Sequence, residues 1–340
     1  MDLRDRVLTE AEKIRKAGVL ANMYRKSSKE YEIGIFGSYA TGNIGDLAIG
    51  KALRDKLRES GYNTEIFSRK IDADCSVQIL GGGDQLHDMS EKKLKMDLGS
   101  LTAGSMIIGI GAHEIVNEEL QRWAREKLDQ LTLITARDIR SKNIIQKYTD
   151  TEVIRTSCPA FLHDVPESKA SKPFTGVSFK PWNPGYTQGE NPRWDKMDTS
   201  IPPDEAVDRY HRSIRNIVDS VNNPTLIPFH HFDREFGKKF KNLDVFPYNF
   251  DVEETLSRVA AADRMVCTRY HSLVFSILCN KPSIAIAYSP KVAQLAERAD
   301  IPYYLQYEPV KLNFKLPNNR REIMEDASRN ISLINERIQL

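Results

Sequence analysis

Short apolar runs alternate with amphipathic stretches through most of the 340-residue chain. The runs predict strands, and the stretches, with apolar positions three and four apart, predict helices. Glu32 to Phe36 predicts a strand, Asp46 to Glu59 a helix and Thr64 to Phe67 a second strand. Further strands are predicted near Val77 to Leu80, Met106 to Ile110 and Leu131 to Thr135, separated by helices near Glu91 to Leu98 and Glu118 to Gln130. Parallel strands need a long crossover between neighbours, so this βαβ rhythm predicts a doubly wound parallel sheet. The opening MDLRDRVLTEAEKIRK is charged throughout and lacks the apolar stretch of a signal peptide, so it reads as an amphipathic first helix.

The pattern breaks from His163 to Pro173, where HDVPESKASKP is polar, proline-bearing and without a hydrophobic period. Such a segment suits an exposed linker, and it divides the chain into domains at 1–165 and 166–340. A second series follows, with strands at Phe174 to Phe179, Thr225 to Phe229, Arg264 to Cys267 and Ser283 to Ala287. Its helices are predicted at Asp204 to Val221, Val252 to Ala262 and Tyr270 to Cys279. The expected fold class is α/β: two Rossmann-like domains with parallel sheets facing across a cleft, and a C-terminal helix packing back on the first domain. Between Pro181 and Ile201 lies a Pro-, Gly- and Asn-rich connection too long for an ordinary βα loop. Its Trp182, Tyr186 and Trp194 either offer apolar faces to a sugar or pin the loop to the second domain.

Composition narrows the function classes. Lys plus Arg number 49 against 47 Asp plus Glu, a net charge of +2, so no whole-protein field favours nucleic acid. Cys75, Cys158, Cys267 and Cys279 form no C-x-x-C pair, which argues against a zinc ribbon or a disulfide framework and suits a reducing cytoplasm. The most apolar stretch, Leu273 to Tyr288, is interrupted by Asn280, Lys281 and Pro282 and falls short of the roughly 20 apolar residues of a membrane span. The expectation is a soluble cytoplasmic protein, compatible with peripheral attachment at the inner face of the membrane.

Four segments carry candidate chemistry. In GSYATGNIGDLAIG, Gly37 to Gly50, a strand ends in a glycine-containing turn before a helix near Asp46, an arrangement suited to an anion. Here Asn43 is a candidate substrate contact, while Asp46 reads as a helix cap. In QILGGGDQLHD, a glycine triplet after a strand lets Gly82 and Gly83 approach a ligand closely, and Asp84, His87 or Asp88 could take a proton from a hydroxyl. In ITARDIRS, Arg137 either clamps a carboxylate or phosphate or sits solvated at a helix start, with Asp138 complementing the helix dipole. In VCTRYHSLVFSILCNKPSIAIAYSPKV, Arg269, His271 and Lys291 converge on one sheet edge at the start of a helix apolar all round, which suits a small multiply charged anion. His230, His231 and Asp233 also follow a strand, but adjacent side chains on an extended segment diverge, so they read as polar lining rather than a metal cage.

Taken in order, G-N-x-G-D-x-A-I, the GGG triplet, R-D-x-x-S, C-P-A-F, R-x-H-S-L-x-F-S and P-S-I-A-I-A-Y-x-P-K-V resemble the polysaccharide pyruvyl transferases from Gly34 to Val292. The resemblance implies a glycosyltransferase-B-like arrangement, phosphoenolpyruvate as donor, and a lipid-linked, nucleotide-linked or polymeric saccharide as acceptor. It also implies that Arg269, His271 and Lys291 hold the donor. Cys158 stands where that family often has an acid, so no acid/base role carries over to it. His271 is the expected general acid, Asp84 and Asp88 the expected hydroxyl partners, and His230 and Trp182 further substrate contacts. Ketal formation needs no redox or carbanion cofactor, and no metal is expected. The competing readings are a nucleotide-sugar glycosyltransferase of the same shape and a non-catalytic binder of acidic or phosphorylated sugars.

Overall fold

The computed structural model describes residue 18 and residues 30–68, 74–88, 90–167, 170, 172–182 and 201–338. The expected first helix, Tyr186 and Trp194 lie outside these residues. The described residues divide into two units, one of Ala17–His163 with Arg321–Leu340 and one of Asp164–Arg320.

The first unit holds strands β1 (Tyr31–Gly37), β2 (Thr64–Ser68), β3 (Cys75–Leu86), β4 (Met106–Ala112), β5 (Leu133–Ala136) and β6 (Val153–Arg155). They form one sheet in the order β2-β1-β3-β4-β5-β6, every pair parallel. Helices α1 (Ile44–Glu59), α2 (Glu91–Gly99), α3 (Glu118–Leu128) and α4 (Ile139–Ile145) supply crossovers. The second unit holds β7 (Thr175–Ser178), β8 (Pro224–Leu226), β9 (Asp244–Val245), β10 (Arg264–Cys267), β11 (Ser283–Ala287) and β12 (Tyr303–Leu305). These run β12-β11-β10-β7-β8-β9, again all parallel. Its helices are α5 (Pro203–Ser220), α6 (His231–Gly237), α7 (Val252–Ala261), α8 (Tyr270–Leu278) and α9 (Pro290–Arg298). The fold class is therefore α/β with two Rossmann-like parallel sheets. In each sheet the strand order reverses once, between β1 and β3 and between β7 and β10. At such a reversal the loops leave in opposite directions and open a crevice at the strands' carboxyl ends.

The last helix, α10 (Arg320–Ile338), packs on the first sheet through a buried polar knot. Asn330 Oδ1 accepts from Thr135 Oγ1 at 2.7 Å and Thr156 Oγ1 at 2.9 Å, while its Nδ2 donates to the carbonyls of Ser157 and Ala327 at 3.0 Å each. Arg155 and Asp326 close the contact with an ion pair at 2.9 Å.

The glycine triplet departs from expectation. It is not a turn after a short strand, because β3 runs on through it with Gly81 opposite Ile108, Gly83 opposite Ile110 and Asp84 opposite Gly111. Gly82 and Gly83 keep this pairing with φ of 58° and 81°, a region that side chains avoid. The triplet also serves packing. Tyr39 sits in a slot between Gly37, Gly50 and Gly81, where an added Cβ would come within 2.8, 2.8 and 2.3 Å of its ring or hydroxyl. Its hydroxyl donates to Gly81 O at 2.8 Å. A Cβ on Gly82 would meet Ile49 Cγ2 at 2.5 Å.

Candidate active site

In the second unit the reversal between β7 and β10 gathers cations. Lys180 follows β7 by two residues, Arg269 follows β10, and Lys291 stands in the first turn of α9 after β11. Lys180 Nζ lies 3.7 Å from the centre of the Tyr288 ring, and Lys291 Nζ lies 5.6 Å from the same centre. Burial lowers the Lys180 pKa below the usual lysine value; Tyr288 opposes this, while the charges of Arg269 and Lys291 lower it further. Asp233, fully buried, grips Arg269 at two points, the guanidinium Nε at 2.6 Å and Nη2, and also accepts the Phe229 amide at 3.1 Å. Among the described residues, Asp233 is the carboxylate that the structure pairs with Arg269. The buried Oγ atoms of Ser178, the last residue of β7, and Ser289, the N-cap residue of α9, have no hydrogen-bond partner among the described residues.

His271 lies in the first turn of α8, whose nine residues are all buried, and its ring meets Tyr270 edge-on at 5.1 Å. Arg269 is the N-cap, so guanidinium and imidazole leave the same helix start. Lys180 was missed by sequence reasoning, which assigned Pro181 onward to the long loop. Its signal was its place after a predicted strand, at the edge that already held Arg269.

Two other expectations change here. Trp182 is 8% exposed and packs edge-on to Tyr210 at 5.9 Å, so its ring is an anchor within this unit rather than an open sugar platform. His230 and His231 do not diverge, because α6 begins at His231 and brings the rings to 4.2 Å. His230 caps α6, its Nδ1 accepting from the Phe232 amide at 3.2 Å, while Asp233 turns to Arg269. Among the described residues no three His, Cys, Asp or Glu side chains converge as a metal site.

In the first unit, Asn43 rather than Asp46 caps α1. Its Oδ1 accepts from the Gly45 amide at 3.1 Å, and its Nδ2 donates to Asp46 Oδ2 at 2.9 Å. Asp88 accepts the Val116 amide at 2.6 Å, tying down the loop after β4. Arg137, expected as a ligand clamp, turns inward. Its side chain is 2% exposed and pairs with Asp84, with Asp138 Oδ2 a further 3.5 Å from its Nε. A guanidinium so enclosed neutralises its neighbours instead of meeting a ligand. Asp138 itself caps α4, accepting the Ser141 amide at 2.7 Å.

Gly83 lies beside Gln85, whose amide donates to Ser38 Oγ at 3.2 Å and accepts from Lys93. Cys158 is wholly buried with its thiol pushed up to about 12, mainly by desolvation, so it stays neutral and inert. The proline of C-P-A-F has a packing role: a Cβ on Gly109 would lie 2.4 Å from Pro159 Cδ.

Fold and site together define an α/β protein of two Rossmann-like units, glycosyltransferase-B-like in class, with a cation cluster at one sheet's reversal. Residues 43–290 match the family described as polysaccharide pyruvyl transferase. The chain belongs to that family. Among solved structures, a Methanocaldococcus jannaschii UDP-GlcNAc 2-epimerase in complex with UDP-GlcNAc and UDP is similar at 10% identity and a TM-score of 0.53, covering 91% of this chain and 100% of its own. A functionally uncharacterised Klebsiella pneumoniae protein has 12% identity and a TM-score of 0.45 over 87% of this chain and 99% of its own. An ADP-heptose lipopolysaccharide heptosyltransferase II of E. coli has 11% identity and a TM-score of 0.37 over 89% and 99%. No curated protein matches in sequence.

Proposed function

We propose that this chain forms a pyruvate ketal on a saccharide, taking the pyruvyl group from phosphoenolpyruvate and releasing phosphate. The observation that carries the reading is the cluster of Lys180, Arg269 and Lys291 about Tyr288, joined by His271, in a member of this family. Phosphoenolpyruvate puts a phosphate and a carboxylate on three carbons, so it calls for fixed cations on both. Arg269, held in one plane by Asp233, suits an oxyanion pair, and the lysines are point charges beside it.

His271 gives a proton to the methylene carbon, which becomes a methyl, and positive charge develops on the adjacent carbon. One saccharide hydroxyl adds there, the carbon–oxygen bond to phosphate breaks, and a second hydroxyl closes the ring. Two hydroxyl protons are lost in all, one replacing that taken from His271 and one leaving on phosphate. No cofactor enters this balance.

Of the first unit's candidates, Asp84 is the one assigned to a saccharide hydroxyl, since Asp88 and Asn43 serve backbone amides. No described helix is long and apolar enough to cross a membrane. A cytoplasmic site of action, with attachment at the membrane face for a lipid-linked acceptor, belongs to this proposal.

The test is phosphate release from phosphoenolpyruvate with free, nucleotide-linked and lipid-linked saccharides, mass spectrometry following each saccharide. The expected product is heavier by one pyruvate less one water. Absence of release with every saccharide, together with no thermal stabilisation by phosphoenolpyruvate, would sink the reading.

A further inference from the structure

Asp84, Arg137 and His113 meet at the carboxyl ends of β3, β4 and β5. Asp84 Oδ1 takes the Arg137 guanidinium from one side, and His113 Nε2 stands 3.8 Å from the same oxygen. The arrangement is tightly built around Gly111, where a Cβ would come within 2.3 Å of Arg137 Nη2 and 2.5 Å of Asp84 Oδ1. Yet it is not sealed: the Arg137 side chain is 2% exposed, while those of His113 and Asp84 are 13% and 23% exposed. The carboxylate and the imidazole are thus part-exposed side by side, where the guanidinium is enclosed.

The imidazole is itself incomplete. His113 Nδ1 is buried without a hydrogen-bond partner among the described residues, and the His87 ring stands edge-on at 6.4 Å. The backbone holds the pair in register, with the His113 amide donating to Leu86 O at 2.9 Å and Asp84 opposite Gly111. The chemistry present is a carboxylate paired with a buried guanidinium, next to an imidazole. Both suit a neutral hydroxyl better than an anion, which Asp84 would repel.

We infer that Asp84 and His113 form a hydroxyl-binding, proton-accepting dyad for a hexose, with Arg137 as the positioning residue that holds the carboxylate. This rests on the saccharide reading above and adds His113, which nothing in the sequence marked.

The test uses the full chain and two separate readouts. Saturation-transfer NMR with glucose, galactose, mannose and their 2-acetamido forms reports hexose capture, and phosphorus line broadening of phosphoenolpyruvate reports the donor site. Because Asp84 neutralises a buried guanidinium, the His113 variants carry the test. Wild type saturates at least one hexose, and His113→Phe loses about tenfold of that signal with phosphoenolpyruvate broadening unchanged. His113→Gln, which keeps a hydrogen-bonding amide, retains capture of that hexose; with the saccharide that turns over, its kcat falls about a hundredfold while its KM holds. No hexose signal in wild type, equal signals in wild type and His113→Phe, or full kcat in His113→Gln overturns the dyad. Absent phosphoenolpyruvate broadening in wild type overturns the donor reading instead.

Discussion

Lys180 follows the end of β7 by two residues and looks in sequence like any loop lysine, yet its ammonium rests on the Tyr288 ring with two further cations acting on it. Lys180→Met should weaken phosphoenolpyruvate binding about 10–100-fold, the range for a charge-assisted contact, measurable by calorimetry. The direction with pH follows from its lowered pKa. Between that value and the ordinary lysine value the unfolded chain holds a proton that the folded chain lacks, so this group makes unliganded stability rise with pH across the window. A bound anion favours the protonated lysine, so donor binding takes up a proton there and weakens as pH rises. Lys180→Arg should move that alkaline loss of affinity to higher pH; an unmoved profile would remove Lys180 from the donor site. Asp233→Ala leaves Arg269 without its buried carboxylate and should cost about 3–5 kcal/mol in a denaturant titration, with weaker donor binding.

At the scale of elements, the glycines near β1 and within β3 were legible as places of close approach, but not what approaches them. The answer for three of them is Tyr39, a side chain of the same unit, because its ring and hydroxyl lie against glycines of β1, β3 and α1. Gly81→Ala should therefore cost about 1–3 kcal/mol by overpacking, and Tyr39→Phe about 1 kcal/mol for the lost bond to Gly81 O. Combined, the two should cost less than their sum, since removing the hydroxyl clears the atom nearest the new methyl; additive losses in thermal melts would contradict the slot. The helix α10 is a second case. Asn330→Ala removes the shared acceptor of the Thr135 and Thr156 hydroxyls and the donor to Ser157 O, leaving Thr135 only the Gly109 amide and Thr156 only a 3.4 Å bond to Ala136 O, and should destabilise the first unit by about 3 kcal/mol. Hydrogen exchange should locate the loss in β5, β6 and α10. The strands that periodicity missed, β6, β9 and β12, have three, two and three residues, too few to show a period, and all lie at sheet edges.

For the whole molecule, two sheets with two reversals give two crevices, and the cation cluster belongs to the unit of Asp164–Arg320. Added phosphoenolpyruvate should slow amide exchange around residues 178–182, 268–272 and 288–292, the strand ends of that unit. Protection confined to the strand ends of the first sheet would reverse the assignment of donor to unit.

The sequence by itself determined the alternation of strands and helices, both parallel sheets and the family, because a period of two or 3.6 and an ordered set of motifs are local facts. It also brought out Arg269, His271 and Lys291, which stand within one continuous segment at consecutive strand ends. Only the tertiary structure decided which polar groups are spent on one another. Arg137 and Asp84 are 53 residues apart, Asp233 and Arg269 36, and Asn330 and Thr135 195. A charge's partner is set by distance in space, and in an open α/β sheet the strands that meet at one edge are separated by whole helices. That is why Arg137 read as a free clamp, Lys180 and His113 went unnoticed, and the glycine triplet looked like a turn.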